Sequence, residues 1–171
     1  MKGYVQIYTG DGKGKTTAAL GLALRAAGAG LKVYIAQFIK MGQFSEIKAL
    51  ERFSDLITVE QFGVGNFIND LPSITDIQAA KKGIERVKAV MDSGAYQVVM
   101  LGEANVAVKL GLFPIQDLLD IIVTKPANVE LVITGRYAHP KAIAMADLVT
   151  EMKSIKHYYQ KGVKARVGIE M

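Results

Sequence analysis

Short apolar runs alternate with amphipathic stretches along the chain. Tyr4-Val5-Gln6-Ile7-Tyr8 repeats with a period of two and is rich in β-branched and aromatic residues, which predicts a strand. Lys32–Phe38, Ile57–Phe62, Tyr96–Leu101, Val129–Thr134 and Leu148–Met152 predict further strands. The Tyr96–Leu101 run is nearly all apolar, as a central parallel strand should be. Between the strands the period lengthens. Ala18, Ala19, Leu22, Ala23 and Ala26 make one face of a helix over Lys15–Ala27, which Gly28 and Gly30 stop. Glu46–Phe53 predicts a short helix. Thr75–Ser93 predicts a long one, with Ile77, Ala80, Ile84, Val87, Val90 and Met91 on one side and Gly94 at its end. Pro114–Val123 follows with Pro114 in its first turn, and Pro140–Ala146 is a last short helix. This order implies an α/β fold: a mostly parallel sheet with helices on both faces and right-handed crossovers. With no repeats, linkers or composition break, residues 1–171 are expected to form a single domain. The tail Lys153–Met171 carries little periodicity, and pattern alone assigns it no element.

The polar chemistry falls where strands end, the edge at which open parallel sheets bind ligands. After the first strand comes Thr9-Gly10-Asp11-Gly12-Lys13-Gly14-Lys15-Thr16-Thr17, opening directly into the first helix. Strand, glycine loop and helix in that order suit a phosphate chain: glycine lets backbone N–H groups point inward, and the helix N-terminus carries partial positive charge. Lys15 then supplies a point charge and the Thr16 hydroxyl a ligand for Mg2+, as in a P-loop. Counting back from Gly14 puts Thr9 where the usual first glycine would be, so the loop is short or reshaped; a glycine turn without a ligand is the bland alternative. The central strand ends in Gly102-Glu103, and Glu103 can hold the metal or its waters opposite the loop. The usual aspartate one position earlier is replaced by Gly102. Arg136 follows the Val129–Thr134 strand, where its fork of donors suits phosphate oxygens or a loop carboxylate. Lys40 and the Gly63–Asp70 loop reach the same edge, the loop as a lid, a pocket wall or a packed connection. Arg25 reads as a surface residue.

Composition narrows the classes. Half of the 171 residues are apolar, enough for a sizeable core. There is no cysteine, which excludes thiolate metal sites, disulfides and cysteine nucleophiles, and only two histidines, His139 and His157. Met1-Lys2-Gly3-Tyr4 does not begin a charged-then-apolar leader, and no apolar run is long enough to span a bilayer, so a cytoplasmic location and no membrane partner are expected. The net charge of +5 suits an anionic ligand; being dispersed, it reads as a solvated basic surface rather than a nucleic-acid interface.

Taken together, the motifs resemble the P-loop type ATP:corrinoid adenosyltransferases, also called cob(I)alamin adenosyltransferases. The resemblance rests on the shortened loop Thr9–Thr17, Gln37-Phe38-Ile39-Lys40 with Glu46, Leu131–Arg136 with its Thr-Gly-Arg ending, and Ala146–Met152 through Lys156-His157 to Gly162, Ala165 and Gly168-Ile169-Glu170. It covers essentially the whole chain, including the tail. It implies an enzyme, a transferase in cobalamin biosynthesis or salvage, that moves the 5′-deoxyadenosyl group of ATP to the Co(I) centre of a reduced corrinoid and releases triphosphate. Carried over by position, Gly10, Asp11, Gly12, Lys13, Gly14, Lys15, Thr16 and Thr17 bind ATP, Thr16 and Glu103 bind Mg2+, and Lys15, Glu103 and Arg136 serve catalysis. The family's loop after the third strand commonly carries two aromatics that displace the lower axial ligand of the corrinoid; here only Phe67 remains, with Asn66 and Ile68 beside it, as the corrinoid-binding candidates. A homodimer and a flavoprotein reductant are also implied. The alternatives are a P-loop ATPase or kinase, for which loop and charge suffice, and a non-catalytic nucleotide or corrinoid binder, for which Gly102 is the motive.

Overall fold

The computed structural model describes residues 1–65 and 71–170. Its strands are β1 (Val5–Thr9), β2 (Val33–Phe38), β3 (Ile57–Phe62), β4 (Val98–Gly102), β5 (Glu130–Thr134) and β6 (Leu148–Glu151). They form one sheet in the order β3-β2-β4-β5-β1-β6, and every pairing is parallel. The helices are α1 (Lys15–Gly28), α2 (Ser45–Leu50), α3 (Ile74–Asp92), α4 (Ala104–Lys109), α5 (Ile115–Thr124) and α6 (Pro140–Met145). Among the described residues no helix is long and apolar enough to cross a membrane.

Successive strand residues point to opposite faces, so a strand covered on both sides must be apolar throughout. β2 is buried at all six positions. Val33 and Ile35 join Met100 and Val132 in a cluster with Ala19, Ala23, Ala26 and Ala27 of α1 and Leu50 of α2. Tyr34, Ala36 and Phe38 face the other way, with Val99, Leu101, Leu131 and Ile133, under α3, α4, α5 and α6. The alanine stripe of α1 lets that helix lie close to the sheet. On the opposite face Gly83 does the same for α3, since a Cβ there would sit 2.7 Å from the Phe38 ring and 2.8 Å from the Phe62 ring. An N-terminal capping box, Ser73 with Asp76, sets the start of α3.

Most element boundaries match expectation within a residue or two; the differences have local causes. Tyr96 and Gln97 precede β4, with the Gln97 N–H donating to Lys32 O at 3.0 Å before pairing begins. The helix expected over Glu46–Phe53 tightens after Leu50 into a 3₁₀ turn at Glu51–Phe53. Gly28 closes α1 from within, with Ala29 as the cap. Pro114 is the residue before α5, in extended backbone, rather than part of its first turn. α4 was not foreseen: six residues are too few to register a helical period. The tail also contains a 3₁₀ turn, Tyr158–Lys161.

Candidate functional site

The chain leaves β1 at Thr9 and turns through Gly10, at φ +95°, and Gly14, at φ +127°, both in the left-handed region that favours glycine. The loop is tightly backed. The Gly12 N–H donates to Met152 O at 2.6 Å, and the Met152 N–H donates to Thr9 O at 2.8 Å. A Cβ on Gly10 or Gly12 would lie 2.5 or 2.6 Å from Met152 O, so the segment after β6 fixes the shape of the loop. Gly14 caps α1 with no side-chain hydrogen bond, and no acid sits in the first turn. The first N–H groups of α1 are therefore open to an anion.

Lys15 is 8% exposed, and its ammonium donates to Gly10 O at 2.6 Å and Gly12 O at 2.8 Å. Of its three donors one is left over. Burial pushes its pKa below the ordinary lysine value; the neighbouring Glu103 and Asp11 carboxylates pull it back up, while Arg136 pushes it further down. A buried cation held by carbonyls at the head of an uncapped helix suits an anionic ligand.

Opposite the loop, β4 ends at Gly102, and Glu103 adopts left-handed backbone, φ +59° and ψ +18°, as the residue before α4. The Glu103 N–H donates to Thr134 Oγ1 at 3.2 Å, tying the turn after β4 to the end of β5. Asn105, 1% exposed, donates from Nδ2 to Gly135 O at 3.2 Å and so braces the turn that carries Arg136. Neither the Glu103 carboxylate nor the Thr16 hydroxyl is used in a hydrogen bond with the described residues. These oxygens are a hard-donor pair of the kind magnesium takes. At Gly102 a Cβ would meet nothing closer than 3.5 Å, from Ala36 O and Gln37 Cγ, which is ordinary van der Waals contact.

The loop, α1, the β4 and β5 turns and the tail enclose a cleft of about 1060 Å³. Asp11 to Thr17, Lys40, Glu103 and Arg136 all line it, so it gathers these candidates. Gly10 lies behind the loop, where its carbonyl holds Lys15. Arg25 is exposed and away from the cleft. Gly63 to Gly65, the described part of the loop after β3, do not line it either, and Asn66, Phe67 and Ile68 lie outside the described residues. The apolar residues of the cleft carried no sequence signal as site residues, and the motif residues of the tail were assigned no role there. Leu20 and Leu24 of α1 with Ala49 of α2 form one apolar wall, and Val106 and Leu110 with Tyr137 another. The four-residue spacing of Val106 and Leu110 was a faint helical hint, but nothing in it pointed to a ligand. His157 and Gly168 to Glu170 close one end.

Residues 1–171 match the family model described as ATP:corrinoid adenosyltransferase BtuR/CobO/CobP. A corrinoid adenosyltransferase of Pseudomonas aeruginosa is 34% identical over 99% of this chain and 84% of its own length. The corrinoid adenosyltransferase of Escherichia coli (strain K12) is 32% identical over 99% of this chain and 86% of its own. Among solved structures, a KaiC-like protein of Pyrococcus horikoshii OT3 superposes with a TM-score of 0.59 over 88% of this chain and 73% of that one. At 19% identity that likeness is one of fold alone.

Proposed function

The chain belongs to the ATP:corrinoid adenosyltransferase family, transferases that act on ATP and a corrinoid, and we propose that its cleft holds the triphosphate of ATP as a leaving group. One observation carries this assignment: the uncapped start of α1, with Lys15 buried behind it and a donor to spare, is built for phosphate oxygens. The adenosyl group passes from ATP to the Co(I) centre of a reduced corrinoid. An electron pair on cobalt forms the Co–C bond to C5′ as the C5′–O bond breaks, and the pair from that bond leaves with triphosphate. The nucleophile belongs to the substrate, so no side chain has to act as one.

The chain's own residues then work on the departing charge. Asp11 to Thr17 bind the triphosphate, with Gly10 supporting them through the carbonyl that holds Lys15; Lys15 and the loop N–H groups meet the negative charge that grows on the leaving oxygens, and Arg136 adds a fork of donors from across the cleft. Thr16 and Glu103 would hold Mg2+, which when bound neutralises phosphate charge. The Glu103 carboxylate and the Thr16 hydroxyl, unused in hydrogen bonds with the described residues, support that assignment. Asn66, Phe67 and Ile68 remain our candidates for the corrinoid face, on the family resemblance. The same likeness supports one nucleotide-binding domain over 1–171, a homodimer and a flavoprotein reductant; the exposed Leu148 and Val149 of edge strand β6 are compatible with a second copy. The cysteine-free sequence suits the cytoplasm. A P-loop ATPase or kinase is not favoured, since the family match extends through the tail.

The test is Co–C bond formation, followed by absorbance, with ATP, magnesium and chemically reduced cobalamin under anaerobic conditions. Adenosylcobalamin should accumulate, and Lys15→Ala should slow it by roughly a hundredfold or more. Corrinoid binding without any Co–C bond would support the non-catalytic binder instead.

A further inference from the structure

The tail folds back onto the phosphate loop through one side chain. Lys13, 40% exposed at its side chain, donates from Nζ to Ile169 O at 2.7 Å and to Glu170 Oε1 at 3.2 Å. Glu170 is itself gripped. It accepts from the Tyr158 hydroxyl, from the Arg166 N–H at 2.9 Å and from the Arg166 guanidinium at 3.2 and 3.3 Å. The guanidinium also lies over the Tyr158 ring, 5.0 Å from its centroid. Lys13, Gly168, Ile169 and Glu170 all line the cleft.

We propose that Glu170 is a positioning residue for the phosphate loop, holding the Lys13 ammonium at the mouth of the cleft with one N–H donor left for a phosphate oxygen. The role rests on the triphosphate reading above. An ammonium has three donors, and the tail engages two of those on Lys13. A long lysine on a glycine loop loses much rotamer freedom when a ligand orders it; one already tethered loses less. The carboxylate does not spoil the site for an anion, because Lys13 and Arg166 together give the cluster two positive charges to one negative. The Arg166 guanidinium first, then the Tyr158 hydroxyl, with Lys13 adding less, hold the Glu170 carboxyl well below the usual carboxylate range, so it stays an acceptor.

The experiment measures Kd for inorganic tripolyphosphate with magnesium, and for adenosine as a control, by calorimetry on the full chain. Lys13→Ala and Glu170→Ala should each weaken tripolyphosphate about tenfold and leave adenosine unchanged. The double variant should also lose about tenfold, because both changes remove one device. Glu170→Gln, which keeps a neutral acceptor, should lose less. If Glu170→Ala does not fold, the cycle is run with Glu170→Gln, whose smaller loss should vanish in the Lys13→Ala background. Tighter binding on loss of Glu170, losses that multiply to about a hundredfold, or an equal loss for adenosine would overturn the positioning role. Lys15→Ala separates the two ideas. If it binds tripolyphosphate as well as the unaltered chain, the triphosphate reading itself fails; if it loses binding and Glu170→Ala does not, only the positioning role fails.

Discussion

Lys15 carries the charge that the phosphate site depends on, and that charge can be titrated. Its pKa is lowered chiefly by burial, so the free protein gives up that proton at a lower pH than a surface lysine near 10.4. Deprotonation removes the cation that faces phosphate. ATP affinity should therefore fall as pH rises, starting below the ordinary lysine range, and Lys15→Arg should remove this alkaline limb from a calorimetric pH series. An unchanged limb in that variant would point to another group. Gly102 offers a second test. A Cβ there makes only ordinary contacts of 3.5 Å, and a carboxylate next to Glu103 adds a hard oxygen donor, so Gly102→Asp should raise magnesium affinity, read as a lower magnesium requirement for ATP binding. No change would show that a carboxylate at that position does not contribute to holding the metal. Lys15, Thr16, Glu103 and Arg136 were legible in the sequence because each sits at a fixed offset from a strand end. The bond from Lys13 to Glu170 was not, because its two residues are 157 apart and neither belongs to a periodic element.

Among elements, the segment after β6 has more to do with the loop than its weak pattern suggested. Leu148–Met152 reads as a strand in the sequence, and its first four residues pair with β1 in parallel. The residue after them, Met152, then backs Gly10 and Gly12, a contact that hydrophobic periodicity does not encode. Gly12→Ala should push the two backbones apart, costing about 1–3 kcal/mol by overpacking. Both melting temperature and ATP affinity should drop together; a normal affinity in a destabilised variant would separate the backing from the site. Gly28→Ala is the control, since a Cβ at that helical position meets nothing within 4 Å. It should stabilise the chain by about 0.5–1 kcal/mol and raise the melting temperature by a few degrees. The strands and long helices were legible from period and β-branching. α4 was hidden by its shortness, and with it the apolar wall of Val106 and Leu110.

For the molecule as a whole, the strand order β3-β2-β4-β5-β1-β6 brings the loop after β1, Glu103 after β4 and Arg136 after β5 to one edge. Alternating strand and helix patterns implied the parallel sheet and that edge, while strand order itself came only from the structure, since register and crossover choice depend on packing across the two clusters. In the proposed reaction this edge makes triphosphate a leaving group rather than a phosphoryl donor. The decisive measurement identifies the inorganic product when the protein, ATP, magnesium and chemically reduced cobalamin are mixed without oxygen. Triphosphate released in step with Co–C bond formation is the predicted result, and ADP with phosphate appearing in step with turnover would contradict it.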